Sequence, residues 1–104
     1  MTNKLDYEKL QYIVDCLPME ELLCQLAEES SELAQAALKL RRCYDTINPT
    51  PTPKEDALKN LFEEIADVWL VLKVLGLDEQ IDKYQETMAR KTDRWAKRLD
   101  WGSE

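Results

Sequence analysis

The amino-acid sequence predicts an all-α fold of four helices, and two observations support this prediction. Apolar residues recur at helical spacing in several long segments, and no segment shows the sustained alternation of a β-strand. The chain contains only 2 glycines and 4 prolines, which fall between the periodic segments. We expect its 104 residues to form a single domain over 1–104, near the size at which a second copy adds useful burial.

The first half of the chain predicts a short helix followed by a long one. The short helix is expected around residues 5–15, and Pro18 suits the first turn of the second helix, which should end near Tyr44. Residues 48–53 read NPTPTP, and a residue that precedes proline disfavours the helical conformation. These residues are therefore predicted to form a loop.

The second half predicts two further helices. Thr52 is expected to be the N-cap of the third helix, with Pro53 at its first position. This helix should run to Gly76, which fits the left-handed position after a helix. Asp78 is then placed to cap a fourth helix over residues 79–99.

Composition narrows the possible functions. A net charge of −7 argues against a nucleic-acid binder, whereas a free nucleotide stays possible because a metal ion can offset like charge. Three cysteines without CxxC spacing, and no histidine, predict a reduced protein without a zinc site. The first residues lack the order of a signal peptide, and no apolar run is long enough for a membrane span. We therefore expect a cytoplasmic protein with no membrane partner.

The second helix combines an apolar stripe with an acidic pair. Glu29 lies at the edge of that stripe, and Glu32 lies one turn further on the same side. The stripe is predicted from residues spaced by three, four or seven positions: Leu22, Leu26, Leu33, Ala37 and Leu40.

The third helix carries a similar pair within a more apolar sequence. Glu64 and Asp67 share one side with Val71 and Val74, and Asp67 interrupts an apolar run. An ionised carboxylate inside such a run needs a cation or hydrogen-bond donors. Both sides of this helix are expected to be at least partly buried. The main apolar stripe lies on the side opposite the carboxylates, and it comprises Leu58, Phe62, Ile65, Trp69 and Leu72.

These two acidic pairs predict a metal site. Like charges at this spacing repel, so two pairs that meet across antiparallel helices require a cation. Oxygen ligands without histidine or thiolate select a hard ion, so Glu29, Glu32, Glu64 and Asp67 are predicted to hold Mg²⁺ or Mn²⁺. The alternative is that Glu29 and Glu32 belong to an ordinary solvated face.

The same residues carry a resemblance to a known family. EESSELAQA at 28–36, followed by EEIADVWLVL at 63–72, resembles the MazG-like all-α nucleoside triphosphate pyrophosphohydrolase superfamily, over residues 20–98. The resemblance implies that the four carboxylates bind Mg²⁺. It also implies that an NTP or dNTP is cleaved to the monophosphate and pyrophosphate by an enzyme built as a four-helix bundle.

The remaining candidate site residues follow from that expectation. Glu28 and Glu63 are candidates for activating the attacking water, and the sequence does not choose between them. Cations that could hold the phosphates are Lys39, Lys83, Lys91 and Arg94, although the basic residues between 83 and 98 could instead form a solvated helix. Trp95 and Trp101 could stack a base, or belong to a core or interface.

The sequence leaves two alternative functions open and predicts an oligomer. The alternatives are a phosphoribosyl-ATP pyrophosphohydrolase, which the absence of histidine disfavours, and a non-catalytic helical adaptor. From 65 to 77 the third helix is apolar on nearly every side, and such a helix must be covered all round. A homodimer or a tetramer is therefore expected to complete the bundle.

Overall fold

Four α-helices make up the part of the chain that the structure describes, as the sequence predicts. A computed structural model describes residues 4–102. Within that range there is no β-strand, and no helix is both long and apolar enough to cross a membrane. The helices are α1 (Tyr7–Cys16), α2 (Met19–Arg42), α3 (Lys54–Val74) and α4 (Ile81–Arg98), and a 3-10 turn (Leu77–Glu79) separates α3 from α4.

The first two helices begin where local chemistry provides hydrogen-bond acceptors. The Asp6 side chain accepts hydrogen bonds from the backbone amides of Glu8 and Lys9, at 3.1 and 3.2 Å, and so caps α1. Pro18 precedes α2, and its carbonyl accepts from the amides of Glu21 and Leu22. The role predicted for Pro18 is thus close to the observed one, and α2 ends two residues before the predicted end.

Two predicted caps are wrong. Thr52 does not cap α3, because Pro53 occupies the N-cap position and no side chain caps this helix. Asp78 does not cap α4, because it lies in the 3-10 turn, where its carboxylate pairs with the Lys73 amine at 2.9 Å. Gly76 does adopt the left-handed conformation, with φ of 73°.

The antiparallel pair of α2 and α3 holds the small core. Leu22 from the start of α2 lines one cavity together with Val71 and Val74 from the end of α3. At the other end of the pair, Ala36 is 2% exposed and Ala57 is fully buried. Small side chains at those two positions let the helix backbones approach closely. The α2 stripe was predicted at Ala37, but Ala36 is the buried residue and Ala37 is exposed.

The predicted main stripe of α3 is not buried within the chain. Phe62 is 61% exposed and Trp69 is 52% exposed, whereas Val71 and Val74 on the other side are buried. The expectation that both sides of α3 are at least partly buried is therefore not met at Phe62 and Trp69 in the single chain. The physical reason is that α2 can cover one side of α3, and it covers the side that also bears the carboxylates.

The single chain is extended for its size. Its radius of gyration is 17.9 Å, whereas a compact domain of this length has about 13 Å. The helix α4 accounts for part of this difference, because none of its residues is buried. Its first two turns line a cavity together with Trp69 and Leu72 of α3. Tyr84 in the same turns donates a hydrogen bond to the carbonyl of Leu77 in the 3-10 turn.

Enlarging the fully buried Ala57 should destabilise the protein. We expect Ala57→Leu to lower the free energy of unfolding by about 1–3 kcal/mol, because added methylenes force α2 and α3 apart. Urea unfolding followed by circular dichroism measures this change. Ala27→Leu, at an exposed position of α2, is the control and should change the value by less than about 0.5 kcal/mol. Equal effects of the two substitutions would contradict the close approach of the helices at Ala57.

Candidate metal centre

Four carboxylates meet where α2 and α3 pack together. One carboxylate oxygen each from Glu29, Glu32, Glu64 and Asp67 lies within 4.8 Å of the other three. Each helix contributes two residues spaced by three positions, which places both on one side of that helix. The antiparallel packing then brings the two pairs side by side, so the structure groups all four residues that the sequence singled out.

Hydrogen bonding leaves part of this cluster without a partner. The Gln25 side-chain amide donates to Glu29 Oε1 at 2.8 Å. The other oxygen, Glu29 Oε2, is buried and has no hydrogen-bond partner, and the same holds for Glu64 Oε2. Within residues 4–102, no lysine or arginine forms an ion pair with these carboxylates. Two buried acceptors thus lack compensation from the chain's own donors, which is unfavourable for carboxylates in charged form.

The electrostatics of Glu64 reflect this arrangement. Desolvation raises the pKa of the Glu64 carboxyl above its ordinary value, and the neighbouring Glu32, Asp67 and Glu29 carboxylates raise it further. The cluster thus opposes its own full ionisation in the absence of a cation. A bound divalent ion would reverse this effect, since it favours the ionised form of every ligand.

The dimensions and chemistry of the cluster fit a hard divalent ion. Oxygens around Mg²⁺ lie about 2.1 Å from the metal, so ligand atoms in an octahedron are separated by about 3 to 4.2 Å. The observed limit of 4.8 Å is slightly wider, so a small adjustment of flexible side chains would bring the oxygens into range. A set of four carboxylates without nitrogen or sulfur suits Mg²⁺ or Mn²⁺.

An apolar cavity opens beside two of the four carboxylates. Glu29, Asp67 and Gln25 are its polar lining residues, and its volume is about 310 Å³. Its other walls come from three helices, with Ile13 and Leu17 from the α1 end, and Leu22, Leu70, Val71 and Val74 among the rest. The carboxylates of Glu29 and Asp67 are therefore accessible from a space that α1, α2 and α3 line.

Three other predicted site residues lie on the same two helices. Glu28 and Glu63 are exposed and each adjoins a cluster residue in sequence. Lys39 is partly buried and lies seven residues beyond Glu32, about 10 Å along the helix axis. The catalytic and phosphate-binding roles proposed for these residues stay predictions.

The predicted cations of α4 are not brought to the carboxylates within one chain. Lys83, Lys91 and Arg94 are exposed, and α4 does not pack along α2 in the described structure. Trp95 and Trp101 are 61% and 78% exposed, so a core role is excluded for both in the single chain. Base stacking and interface roles for these tryptophans stay predictions.

Gln25 is the site residue that the sequence prediction missed. Its hydrogen bond orients Glu29 in the way that outer residues orient metal ligands. The sequence did contain a signal, because a glutamine four residues before an acidic residue is a known stabilising pair on a helix. That signal is common on helices, so it could not point to a site without the structure.

Comparisons with known proteins are sparse. No protein-family profile matches the chain, and no solved structure matches it. Among curated proteins, the chain is similar to the kinetochore protein NDC80 homolog of Danio rerio, with 28% identity over 83 residues. The match covers 80% of this chain and 12% of that protein, so the chain spans only a small part of the relative's length.

This similarity contradicts the predicted nucleotide pyrophosphohydrolase function. The finding that overturns it is that this relative is named as a kinetochore protein and not as a pyrophosphohydrolase. The phosphoribosyl-ATP alternative is contradicted for the same reason, and the helical adaptor stays a prediction. The physical reason for the error is that ExxE and ExxD are spacings that any acidic helix can carry. Membership of the MazG-like superfamily and the prediction of an enzyme stay predictions.

The raised pKa of Glu64 gives a testable pH dependence in metal-free protein. The unfolded chain releases the Glu64 proton at a lower pH than the folded chain does, because the folded-state pKa is raised. The contribution to stability is therefore lost as pH rises from about 4.5 through the folded pKa. We expect Glu64→Gln to be more stable than the wild type at pH 7 and to lose this advantage near pH 4.5. Thermal unfolding of both proteins in EDTA checks this, and a difference independent of pH would contradict it.

Proposed function

We propose that this chain is a divalent-cation-binding helical protein that acts as an adaptor, through association with other protein chains. The cation is Mg²⁺ or Mn²⁺, and its ligands are Glu29, Glu32, Glu64 and Asp67. The observation that carries this proposal is the convergence of the four carboxylates, two of which have a buried oxygen without a partner. A cation at this position satisfies both oxygens and removes the repulsion that raises the Glu64 pKa.

The cation in this proposal has a structural role. It joins α2 to α3 through ligands from both helices, so its binding free energy adds to the stability of the helix pair. Gln25 keeps Glu29 oriented towards the ion through its hydrogen bond to Oε1. The ion thus acts at the contact that holds most of the core.

The adaptor role is supported by the exposed apolar surface. Aromatic side chains of α3 and α4, such as Phe62, Trp69 and Trp95, are more than half exposed. Exposed apolar surface of this kind marks sites where another protein binds. The similarity to a protein named as a kinetochore protein supports a role other than catalysis.

The proposed assembly is a homodimer or a tetramer that completes the helical bundle. We place it in the cytoplasm, because the three cysteines are all free and none is paired in a disulfide. The net charge of −7 supports a protein partner over a nucleic acid.

Removing one ligand should weaken cation binding. We expect Mn²⁺ to bind the wild-type protein, as measured by loss of the free Mn²⁺ signal in electron paramagnetic resonance. Asp67→Asn should weaken binding about tenfold or more, because it keeps the side-chain shape but loses a charged ligand. Glu55→Gln is the control, since it removes one charge from an exposed position of the same helix.

The same samples test the structural role of the ion. With free Mg²⁺ a hundredfold above its Kd, the free energy of unfolding should rise by about 2.7 kcal/mol in the wild type. The gain should persist in Glu55→Gln and should be lost in Asp67→Asn at the same Mg²⁺ concentration. A lack of Mn²⁺ and Mg²⁺ binding at 10 mM, about tenfold above the dissociation constants of the weakest protein calcium sites, would overturn the proposal.

A further inference from the structure

Two apolar seams on different helices have no cover within the single chain. We define the α3 seam as Leu58, Phe62, Ile65, Trp69 and Leu72, and the α4 seam as Ile81, Tyr84, Met88 and Trp95. Every member except Leu72 is exposed, and Leu72 is only partly buried. The apolar surface therefore runs along two helices rather than being scattered.

The spacing within the seams predicts helix partners. Members of the α3 seam are separated by four, three, four and three residues, which is the 3.5-residue period of helices packed in a left-handed bundle. The α4 seam continues the same period, with Lys91 at the position between Met88 and Trp95. A lysine stem can cover apolar surface while its amine stays in water, so Lys91 does not interrupt the contact.

The two seams meet in an apolar groove at the α3–α4 corner. Trp69 and Leu72 form one wall, and Ile81, Tyr84 and Met88 form the other, around a volume of about 460 Å³. The corner is held by the Lys73–Asp78 ion pair at 2.9 Å and by the Tyr84 hydrogen bond to the Leu77 carbonyl. Each chain thus presents two helices with exposed apolar seams that meet at this corner.

The single chain exposes more surface than a compact monomer of the same mass. The chain exposes 8942 Å², whereas a compact monomer of 12.2 kDa exposes about 6,100 Å². The excess is about 2,800 Å² per chain, and permanent homodimer interfaces bury about 1,000–2,500 Å² on each chain. The uncovered surface is thus large enough for a stable dimer.

Charge identifies the same chain as the complementary partner. Six basic and two acidic residues lie between 83 and 98, which gives this part of α4 a charge of +4 and leaves −11 on the remainder. Two α4 helices packed against each other would repel. An α4 helix packed on the acidic α2–α3 pair of another copy is attracted to it.

We propose that a second copy occupies this groove, with α4 of each protomer packed along the α3 seam of the other around a two-fold axis. Each protomer supplies both halves of the contact, as a two-fold interface requires. The basic residues of α4 then lie beside the partner's acidic helix pair, which they do not reach within their own chain. This inference rests on the proposed homodimer and is independent of the metal ion.

Substitutions in the two seams should abolish the dimer. We expect sedimentation velocity to give a dimer for the wild type at micromolar concentration. Trp69→Lys in the α3 seam and Met88→Lys in the α4 seam should each raise the dimer dissociation constant by about 30-fold or more. Tyr12→Lys is the control and should stay dimeric, because Tyr12 is an even more exposed aromatic residue that belongs to α1 and to neither seam.

Two further measurements are the salt dependence of dimer dissociation and the helix content of each variant. The dissociation constant of the wild type should rise between 50 and 500 mM NaCl, because the α4 charges face the partner's acids. Circular dichroism must show wild-type helix content in each variant, and a seam variant that loses helix is replaced by the milder Trp69→Gln or Met88→Gln. A folded wild-type monomer would overturn both the homodimer and this surface.

Other results separate the two proposals. A dimer that survives both seam substitutions would overturn the proposed surface and leave the homodimer in place. A dimer that Trp69→Lys dissociates and Met88→Lys does not would also overturn it, because α4 would then have no part in the contact. Mn²⁺ binding by the same variants reports on the metal site separately.

Discussion

The antiparallel contact between α2 and α3 is the constraint on which the rest of the structure depends. It buries Ala36 and Ala57, and it brings Leu22 to the end of α3 near Val74. The same contact places the two acidic pairs side by side. It also fixes which side of α3 faces outwards, so the exposed seam is a consequence of the same packing.

That contact combines favourable burial with an unfavourable charge arrangement. Four carboxylates meet at a place where burial and mutual repulsion raise the Glu64 pKa. Natural proteins keep such clusters when something outside the chain compensates them, as metal ions do. The core of the single chain is small, so a cation that joins the two central helices would matter to its stability.

The charge and the exposed apolar surface of the chain are also divided between helices. The acidic pair α2–α3 and the basic helix α4 belong together by charge, yet α4 meets α3 only near the corner at Asp78. A helix with an amphipathic sequence and no buried residue is seldom stable alone in water. Both features have the same explanation if another chain supplies the missing surface.

The sequence by itself determined the helix pattern and the pairing of Glu29 with Glu32 and of Glu64 with Asp67 on one side of each helix, since both depend on local periodicity. The meeting of the two pairs depends on the antiparallel packing of α2 and α3. Only the tertiary structure decided that Phe62 and Trp69 face outwards, because α3 is apolar on both sides and periodicity cannot say which side a neighbour covers. The tertiary structure also shows that Asp78 pairs with Lys73 instead of capping α4, and that Gln25 hydrogen-bonds to Glu29. Such choices depend on contacts between helices, which local sequence does not encode.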